Sequence, residues 1–476
     1  MLTYDLENKE GVSLYEALYE NIRDDIRSGR IKMNEKLPSK RGLAAHLKIS
    51  VTTVENAYAQ LMLEGYIHSE PGRGFFVNEV SGGYAMIDSS EAGGASDGTL
   101  AGRAAEDKDP EYLIDFKANR SSLSLFPFST WSRLMRNILS SQDLELLETV
   151  PYNGMYNLRR AIADYLRTNR NMQVTPAQII IGAGTEYLYS RLLQLLGTDS
   201  IYAIEDPGYK KFADISGSQG TLWDYIPIDE QGMRIDRLRK SKANIVHISP
   251  ANHFPTGTVM PISRRMELLE WVREDSSRFI IEDDYDSELR YNGRMIPTLY
   301  SIDDHKKVIY MNTFSKSLVP SIRISYMVLP NMLLARYKKS LSFYSCTVSS
   351  FEQLTLAEFI SKGYFERHIN RLKQHYREKR DRLVGAIRES GLSRVARIEE
   401  ADAGTHFLLR LDTEMGDDEI REAADKNKIH FAMLSDYETI HTVKNSRTIV
   451  VNYAGLDPDK IPLAVSILEK MFLTDI

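Results

Sequence analysis

The 476-residue chain contains a single cysteine, Cys346. One cysteine excludes an intrachain disulfide, a disulfide-stabilised secreted scaffold and a cysteine-based zinc site, and it favours a reducing compartment. No apolar run approaches the roughly 18 residues that a membrane span needs, and the N-terminal segment MLTYDLENKE lacks the apolar core of a signal peptide. The sequence therefore predicts a cytoplasmic protein, and it contains no recognisable metal site.

The chain also lacks an excess of positive charge. Its 60 Lys and Arg residues stand against 66 Asp and Glu residues, for a net charge of −6, which excludes a uniformly basic nucleic-acid coat but permits a local basic patch. With 42% apolar and 26% charged residues, the chain as a whole fits neither a disordered protein nor a membrane protein. Its length exceeds the usual range of a single domain, so at least two domains are expected.

One break in composition divides the chain. Between residues 79 and 110, six glycines stand among Ser, Ala and Asp residues. Such a stretch buries too little apolar surface to offset the entropy lost on ordering it. We therefore predict a flexible linker over residues 79–110, which separates a small unit, residues 1–78, from a large unit, residues 111–476.

The small unit has the pattern of three helices followed by a hairpin. Apolar residues at positions 14, 18, 22 and 26 share one helical face, and Ser13 is the predicted N-cap. Ser39 opens a second helix that ends at Leu47, and Ser50 opens a third. A Pro-Gly-Arg-Gly turn at residues 71–74 then joins two short strands. This order is the plan of a winged helix-turn-helix.

The charge of the small unit permits two interpretations. Residues 1–78 hold 10 basic and 11 acidic side chains, a balance compatible with a three-helix protein-binding module. Between Arg23 and Lys48, however, 8 basic residues stand against 3 acids, and Arg73 adds a charge at the hairpin tip. Because the positive charge is concentrated near the proposed recognition surface, the pattern favours double-stranded DNA as the partner.

The segments LPSKRGLAAHLKIS, TVENAYAQLMLEGYI and GRGFFV resemble the GntR-type winged helix over most of residues 11–78. The resemblance implies contacts with the DNA backbone or base edges for six residues: Lys40, Arg41, Ser50, Thr52, Thr53 and Arg73. Val51 departs from the family, which often has an arginine directly after the serine that begins the recognition helix. A phosphate or guanine contact is therefore missing there, and the operator cannot be inferred by analogy.

The large unit alternates apolar, β-branched runs with helical patterns. Runs such as QIII, ANIVHI, RFII and KKVIYM are separated by segments of helical periodicity. Strands that are buried on both faces and spaced by helices predict a mostly parallel sheet with covering helices, which is an α/β domain. Ligands of such sheets bind outside the carboxyl ends of the strands, where the polar residues of these segments fall.

Polar groups suited to an anion and to a ring nitrogen follow two of these strands. GAGTEY ends a strand and opens a helix, so the backbone N–H groups of Gly184, Thr185 and Glu186 can hold a phosphate at the helix N-terminus. Asp283 follows RFII, where a carboxylate can pair with a protonated ring nitrogen. Taken singly, a plain tight turn and a solvated acidic loop explain these two segments as well.

Two further strands are followed by a candidate nucleophile and a candidate stacking ring. Lys316 lies in the Ser-flanked turn of TFSKS, with Arg323 seven residues further on, and Tyr209 in DPGY is available to stack on a flat ring. Alone, each is equally a surface lysine or a packed tyrosine. Together, the four segments supply what pyridoxal phosphate needs: a lysine for the Schiff base, an acid for the pyridine nitrogen, phosphate donors and an aromatic ring.

In order and spacing these segments resemble the fold-type I aminotransferases over residues 111–476. The resemblance implies that Lys316 bonds to the cofactor, Asp283 pairs with the pyridinium and Tyr285 donates to the phenolic oxygen. The full set of implied cofactor residues is Gly184, Thr185, Glu186, Tyr209, Asp283, Tyr285, Thr313, Ser315, Lys316 and Arg323. Phe254 stands where these enzymes usually have a cofactor-contacting asparagine, and Asn252 or His253 is its candidate replacement.

A GntR-type winged helix joined to an aminotransferase-like domain resembles the MocR/GabR family of transcriptional regulators, and the motifs IIGAGT, EDPGY, IIEDDYDSE and YMNTFSKSL carry that resemblance. It implies a regulator that senses a small amino compound, or pyridoxal phosphate itself, by aldimine exchange at Lys316. It also implies a head-to-tail homodimer in which each DNA-binding unit lies over the partner's large domain. The alternative function is an active aminotransferase with an accessory DNA-binding domain.

The chain departs from the γ-aminobutyrate sensor of that family at the effector site. Ser435 and Asp436 stand where an effector-binding arginine is expected, and Lys211 takes the place of another. A serine cannot restore a bidentate clamp on a carboxylate. We therefore predict that γ-aminobutyrate is not the effector, and that turnover is slow because the substrate Cα–H bond is poorly aligned.

Overall fold

The computed structural model of the protein describes residues 2–4, 13–78, 112–117, 123–141, 144–291, 295–399, 402–440 and 445–473. The chain separates into two compact units, Met1–Asp107 and Lys108–Ile476. The predicted linker, residues 79–110, lies outside the described residues. Within the described ranges, no helix combines the length and the apolar composition needed to cross a membrane.

The small unit has the predicted winged-helix order: α1 (Leu14–Arg27), α2 (Lys40–Leu47), α3 (Val51–Leu63), β1 (Ile67–Glu70) and β2 (Gly74–Val77). The two strands pair in antiparallel fashion, with Ile67 opposite Val77. Side chains on the inner faces of all three helices, such as Leu18, Leu43 and Leu61, are fully buried in one core.

Capping residues begin the helices of the small unit. The Ser39 hydroxyl accepts a hydrogen bond from the Gly42 N–H at 3.1 Å, and the Ser50 hydroxyl accepts one from the Thr53 N–H at 3.0 Å. Ser13 occupies the N-cap position as predicted, but its side chain caps no backbone N–H. Its hydroxyl donates instead to the Glu16 carboxylate at 3.4 Å, because that carboxylate lies in the first turn of α1.

The large unit begins with a short strand and two helices that precede its central sheet: β3 (Ile114–Asp115), α4 (Phe128–Ser140) and α5 (Tyr156–Arg170). The strands of the central sheet are β4 (Ile179–Gly182), β5 (Ile201–Asp206), β6 (Leu222–Asp229), β7 (Gly232–Met233), β8 (Ile245–Ile248), β9 (Phe279–Asp283), β10 (Val308–Thr313) and β11 (Ser325–Val328). The helices connected to them are α6 (Thr185–Leu196), α7 (Lys211–Ser218), α8 (Ile235–Leu238), α9 (Ile262–Arg273), α10 (Leu299–Ile302), α11 (Phe314–Ser317) and α12 (Asn331–Ser340).

Further helices and a smaller sheet complete the large unit. The remaining helices are α13 (Ser350–Ser361), α14 (Tyr364–Glu389), α15 (Asp417–Lys426) and α16 (Ile461–Leu473). The remaining strands are β12 (Ala396–Glu399), β13 (His406–Leu411), β14 (Ile429–His430), β15 (Ala432–Met433) and β16 (Thr448–Asn452). Four of them form an antiparallel sheet in the order β12-β13-β16-β15, which the sequence patterns did not predict, and β14 pairs with β3.

The central sheet has eight strands in the order β4-β11-β10-β9-β8-β5-β6-β7. Strands β10, β9, β8, β5 and β6 are parallel to one another, whereas β11 and β7 run antiparallel to their neighbours. The prediction of a mixed, mostly parallel sheet is therefore confirmed. Because β11 is antiparallel to both β4 and β10, β4 points the same way as β10, so the carboxyl ends of β4, β5, β8, β9 and β10 share one edge.

Candidate functional site

A cleft of about 250 Å³ opens at this edge of the sheet. It is lined by nine of the ten residues predicted to bind the cofactor: Thr185, Glu186, Tyr209, Asp283, Tyr285, Thr313, Ser315, Lys316 and Arg323. The tenth, Gly184, is the N-cap residue of α6 beside the cleft. The tertiary structure thus brings together residues that are up to 139 positions apart in the sequence, from Gly184 to Arg323.

Lys316 lies in α11, the single helical turn that follows β10. The turn is fixed by Thr313, whose hydroxyl accepts the Ser315 N–H at 3.1 Å. Burial lowers the pKa of the Lys316 ammonium to about 8, and the nearby Asp286 carboxyl opposes that change. An amine with a lowered pKa is neutral more often near neutral pH, which is the state that attacks an aldehyde.

Asp283 ends β9 and is buried, with 8% of its surface exposed. Its Oδ2 atom accepts a hydrogen bond from the Tyr189 hydroxyl at 2.6 Å, whereas Oδ1 is buried without a hydrogen-bond partner among the described residues. Burial raises the pKa of the Asp283 carboxyl to about 6, although the Tyr189 hydrogen bond lowers it. An unpaired buried carboxylate oxygen fits the protonated ring nitrogen of pyridoxal phosphate.

Another group of residues at the cleft fits a phosphate. The Ser315 hydroxyl oxygen is buried and has no hydrogen-bond partner in the described part of the chain. The Arg323 guanidinium packs against Gly184, where φ is +93° and an added Cβ would lie 2.5 Å from Nη2. One predicted donor is corrected: the Gly184 N–H donates to the Gly182 carbonyl at 2.9 Å, because the turn between β4 and α6 closes on itself. The first-turn N–H groups of Thr185 and Glu186 remain suited to an anion.

The loop after β8 carries the position at which the chain departs from aminotransferases. His253 and Phe254 line the cleft, but Asn252 does not. The Asn252 side-chain amide donates a hydrogen bond to Asp286 Oδ2 at 2.8 Å, and the Asn252 backbone carbonyl accepts one from the Tyr285 hydroxyl at 3.1 Å. Asn252 therefore holds neighbouring segments, and of the two candidate replacements for the missing asparagine only His253 reaches the cleft.

Tyr209 lies on the wall of the cleft with 45% of its surface exposed. Its ring meets Phe254 edge to face, with centroids 6.4 Å apart and an interplanar angle of 86°. Because Phe254 approaches the ring at right angles, that contact does not cover the ring face as a parallel stack would.

Buried titratable residues beside these were missed by the sequence analysis. Glu205 lines the cleft from the end of β5, accepts the Ser249 N–H at 3.2 Å, and has its pKa raised to about 8 by burial. His247 lines it from β8, and burial lowers its pKa to about 3. The available signal was an ionisable residue within an otherwise apolar strand, which is uncommon unless the residue is paired or functional.

Two of the cations at the cleft, Lys211 and Arg323, are paired with the same carboxylate. Glu186 binds the Lys211 ammonium through one carboxylate oxygen and the Arg323 guanidinium through the other, the latter at 2.9 Å. Both partners lower the pKa of the Glu186 carboxyl, and the hydrogen bond with Lys211 has the larger effect. Ser435 and Asp436 are not among the residues that line the cleft, and both accept hydrogen bonds from Arg421.

The residues predicted to contact DNA lie on the surface of the small unit. Arg41, Ser50 and Thr52 are exposed, and Thr53 is half-buried with its hydroxyl 2.7 Å from that of Ser50. Two of the cations have acidic partners: Lys40 with Glu55 at 3.3 Å, and Arg73 with Glu70. Val51, at the start of α3, is 40% exposed.

Comparisons with known proteins agree with this division. Residues 115–466 match the family "Aminotransferase class I and II", and residues 14–77 match "Bacterial regulatory proteins, gntR family". The chain is 39% identical to the uncharacterised HTH-type transcriptional regulator YdeL of Bacillus subtilis over 94% of this chain and 95% of that protein. It is 31% identical to the probable rhizopine catabolism regulatory protein MocR of Rhizobium meliloti, over 98% and 95% of the two chains.

A solved structure resembles the large unit. The kynurenine aminotransferase of Pyrococcus horikoshii, determined in complex with PMP, has a TM-score of 0.66 at 23% identity and covers 77% of this chain and 92% of its own. This likeness confirms the aminotransferase fold. The family match and the fold together confirm pyridoxal phosphate as the cofactor to which this type of domain is suited. The chain belongs to the MocR/GabR-like family of regulators, in which a GntR-type winged helix precedes an aminotransferase class I and II domain.

Proposed function

We propose that the protein is a cytoplasmic transcriptional regulator that binds promoter DNA through its small unit. Its large unit binds pyridoxal phosphate and responds to a small amino compound, or to pyridoxal phosphate itself. One observation carries the proposal: a single chain joins a GntR-type winged helix to a cleft that is lined by a lysine of lowered pKa, Lys316. Two residues of the same cleft, Asp283 and Ser315, each have a buried polar atom without a partner among the described residues.

Each part of the cofactor has suitable residues in the cleft. We assign the aldehyde carbon to Lys316 and the ring nitrogen to Asp283, while Tyr209 offers a ring face. Tyr285 is assigned to the phenolic oxygen, and to donate there its hydroxyl must leave the Asn252 backbone carbonyl, which accepts its hydrogen bond in this structure. The phosphate is assigned to Thr185, Thr313, Ser315, Arg323 and the first-turn N–H groups of α6. When bound, pyridoxal phosphate supplies an electrophilic carbon and an electron-withdrawing ring.

Lys316 is suited to reversible attachment. With its pKa at about 8, the amine released by an incoming amino compound takes up a proton near neutral pH. Asp286, which lines a small cavity together with Lys316, provides a carboxyl group nearby. An amino compound that replaces Lys316 regulates DNA binding only if it binds two states of the protein with different affinities.

The cleft argues against γ-aminobutyrate as the effector. Lys316 is assigned to the aldehyde carbon and Arg323 to the phosphate, so an effector carboxylate would have to displace Glu186 from Lys211. We therefore keep the prediction that γ-aminobutyrate is not the effector. Micromolar binding of γ-aminobutyrate together with a change in DNA affinity would refute it.

We also propose that the regulator is a homodimer. Several apolar side chains of the α4 region are exposed in the isolated chain, among them Phe128 at 71%, Leu144 at 75% and Leu147 at 76%. Exposed apolar groups of this size close together in sequence are typical of an interaction surface. Sedimentation equilibrium of the purified protein tests the proposal, and a monomer at micromolar concentration would contradict it.

The second candidate function is a working aminotransferase, which the full set of cofactor residues in the cleft favours. The test is the absorption spectrum of the purified protein during titration with D- and L-amino acids and amines, followed by addition of a keto acid. If the protein is a regulator, one of the compounds shifts the absorption band of the cofactor and changes the affinity for DNA, without repeated turnover. Repeated cycles between amino and keto substrates would assign the second function instead.

A further inference from the structure

Behind Asp283 lies a buried pair that the cofactor contacts do not use. Tyr189 in α6 and His247 in β8 are 1% and 4% exposed. The Tyr189 hydroxyl lies 2.6 Å from Asp283 Oδ2 and 3.0 Å from His247 Nε2, whereas His247 Nε2 and Asp283 Oδ2 are 3.8 Å apart. The Tyr189 hydroxyl is therefore within hydrogen-bond distance of both the histidine and the carboxylate.

The protonation states of this chain of groups follow from burial. The pKa of Tyr189 is raised well above its usual range, chiefly by burial, so its hydroxyl keeps its proton. The pKa of His247 is lowered to about 3 by burial, so the ring is neutral. A tyrosine hydroxyl has one proton to donate, and the ionised carboxylate is the stronger acceptor. His247 must then carry its proton on Nε2 and donate it to the Tyr189 oxygen.

Packing fixes the two rings. The His247 ring stacks on Phe212, with centroids 4.4 Å apart and an interplanar angle of 13°, and Phe212 meets Tyr189 edge to face at 4.9 Å. Because all three rings are buried, Tyr189 cannot turn away from the carboxylate at low cost, and His247 cannot turn away from the Tyr189 oxygen. Oδ2 is thereby occupied, and Oδ1 is left as the acceptor without a partner among the described residues, in a carboxylate that lines the cleft.

We infer that Tyr189 and His247 are positioning residues, which stabilise the ionised Asp283 carboxylate and reserve its Oδ1 atom for the ring nitrogen of the cofactor. The inference rests on the proposed function, since it requires that the cleft bind pyridoxal phosphate. It assigns part of the strength of the ring-nitrogen contact to Tyr189, which is not among the residues that line the cleft, and to His247, which is.

The inference predicts how cofactor affinity depends on pH. An ionised Asp283 is required to pair with a protonated ring nitrogen, so affinity is present above the pKa of this carboxyl, about 6, and falls as the pH drops through it. Tyr189 lowers that pKa. In Tyr189→Phe the burial remains but the hydrogen bond is removed, so the pKa rises and the loss of affinity begins at higher pH.

Other titratable groups surround Asp283 and remain in the variant. Five of them belong to the strand ends and the lysine turn: Tyr209 after β5, His247 in β8, Asp284 and Tyr285 after β9, and Lys316 in α11. Five more line the rest of the cleft: Glu186, Glu205, Lys211, His253 and Arg323. Because these groups are common to both proteins, the difference between their pH profiles isolates the contribution of Tyr189.

The experiment measures the dissociation constant of pyridoxal phosphate from about pH 5.5 to about pH 8.5, on either side of the carboxyl pKa, for the full-length wild type, Tyr189→Phe and Tyr202→Phe. Tyr202 is a matched control, because it is fully buried in the same core and its hydroxyl has no partner among the described residues. For Tyr189→Phe we expect the midpoint to move up by about one pH unit, which weakens binding about fivefold at about pH 6. The profile of Tyr202→Phe is expected to match the wild type.

A cofactor analogue separates positioning from damage to the fold. In a carbocyclic analogue of pyridoxal phosphate, C–H replaces the ring nitrogen, so its affinity should be the same in the wild type and Tyr189→Phe. His247→Leu should reproduce part of the shift, and His247→Gln, which retains an N–H donor, should return the profile toward that of the wild type. Identical pH profiles for the wild type and Tyr189→Phe, or an equal loss with the analogue, would overturn the inference. A wild type that binds no cofactor would instead refute the proposed function.

Discussion

The two units present their candidate functional residues in opposite ways. In the small unit, five of the six residues predicted to contact DNA fall between Lys40 and Thr53, and most of them are exposed. In the large unit, the predicted cofactor residues come from strand ends between Gly184 and Arg323, and the central ones, Asp283 and Lys316, have pKa values changed by burial. Local sequence thus suffices to place the first set, whereas the second exists only in the folded sheet.

This difference implies that the two functions can be altered separately. DNA contacts made by exposed charges depend on the number of phosphates neutralised and on salt. Cofactor contacts made in a buried cleft depend on desolvation and on hydrogen-bond partners. Variants of one unit should leave the primary ligand of the other unit unaffected, and the first two of the following four experiments test this.

Replacement of the cofactor lysine should have the largest effect. Lys316→Ala removes the amine that bonds to the aldehyde carbon, so we expect loss of the visible absorption band of the attached cofactor and loss of the effector response. DNA affinity, measured by fluorescence anisotropy, should change by no more than about twofold, because Lys316 is remote from residues 40–53 in sequence and lies in the other unit. Lys211→Ala is the matched control, since Lys211 also lines the cleft.

The outcome that contradicts this division is specific. If Lys316→Ala abolished DNA binding altogether while the protein remained folded by circular dichroism, the two units would not be separable functions. If Lys211→Ala also removed the cofactor band, the assignment of Lys316 as the single attachment point would fail.

Charge removal on the small unit should have the next largest effect. Arg41→Ala combined with Arg73→Ala should weaken DNA binding and reduce the slope of log affinity against log salt by about 0.9 for each phosphate that is no longer neutralised. The cofactor absorption band should be unchanged. Arg23→Ala is the control, because Arg23 lies on α1 and is not among the six residues predicted to contact DNA. An unaltered salt slope in the double variant would place the DNA-binding surface elsewhere.

Restoring the arginine that the recognition helix lacks should increase DNA affinity. Val51 is exposed at the start of α3, so Val51→Arg adds a cation without disturbing the core. We expect tighter DNA binding and a salt slope steeper by about 0.9 if the new side chain reaches a phosphate. Val51→Gln, which has similar reach but no charge, should leave the slope unchanged. Equal slopes for the two variants would show that position 51 does not face the DNA backbone.

The smallest expected effect is on the pH dependence of the stability of the large unit. Burial raises the pKa values of Glu205 and Asp286 to about 8. Between about pH 6.5 and about pH 7.5 these carboxyls are mostly protonated in the folded large unit but ionised in the unfolded chain. The folded state therefore binds more protons, and its stability falls as the pH rises through this window.

Other buried groups limit the pH range over which stability falls. The lowered pKa values of His247 and His253, about 3, favour folding as the pH rises but act only below the usual histidine value. Lys316 and Lys379, with pKa values of about 8, oppose the carboxyls at higher pH. Calorimetry should show the melting temperature of the large unit falling from about pH 6.5 to about pH 7.5, and Glu205→Gln should reduce that fall. The same slope in wild type and Glu205→Gln would contradict this assignment.

Much of the fold could be predicted from the sequence because its patterns are local. The four-residue spacing in α1 and the serine caps of α2 and α3 predicted the small unit, although Ser13 bonds Glu16 instead of capping the backbone. Long apolar runs predicted β5, β8, β9 and β10. The sheet β12-β13-β16-β15 was missed, because β13 and β16 lie far apart in the chain and the Asp-Ala-Gly segment between β12 and β13 was not recognised as a turn.

The site shows the same limit more sharply. The order of motifs and strands along the chain was enough to predict that Lys316, Asp283 and Arg323 meet at one edge of a parallel sheet. The folded structure was needed to show that Glu186 pairs with both Lys211 and Arg323, that Asn252 turns toward Asp286, and that Tyr189 occupies one oxygen of Asp283. The physical reason is that strand order follows from local pattern and chain connectivity, whereas the hydrogen-bond partner of a buried polar atom depends on which distant side chain packs beside it.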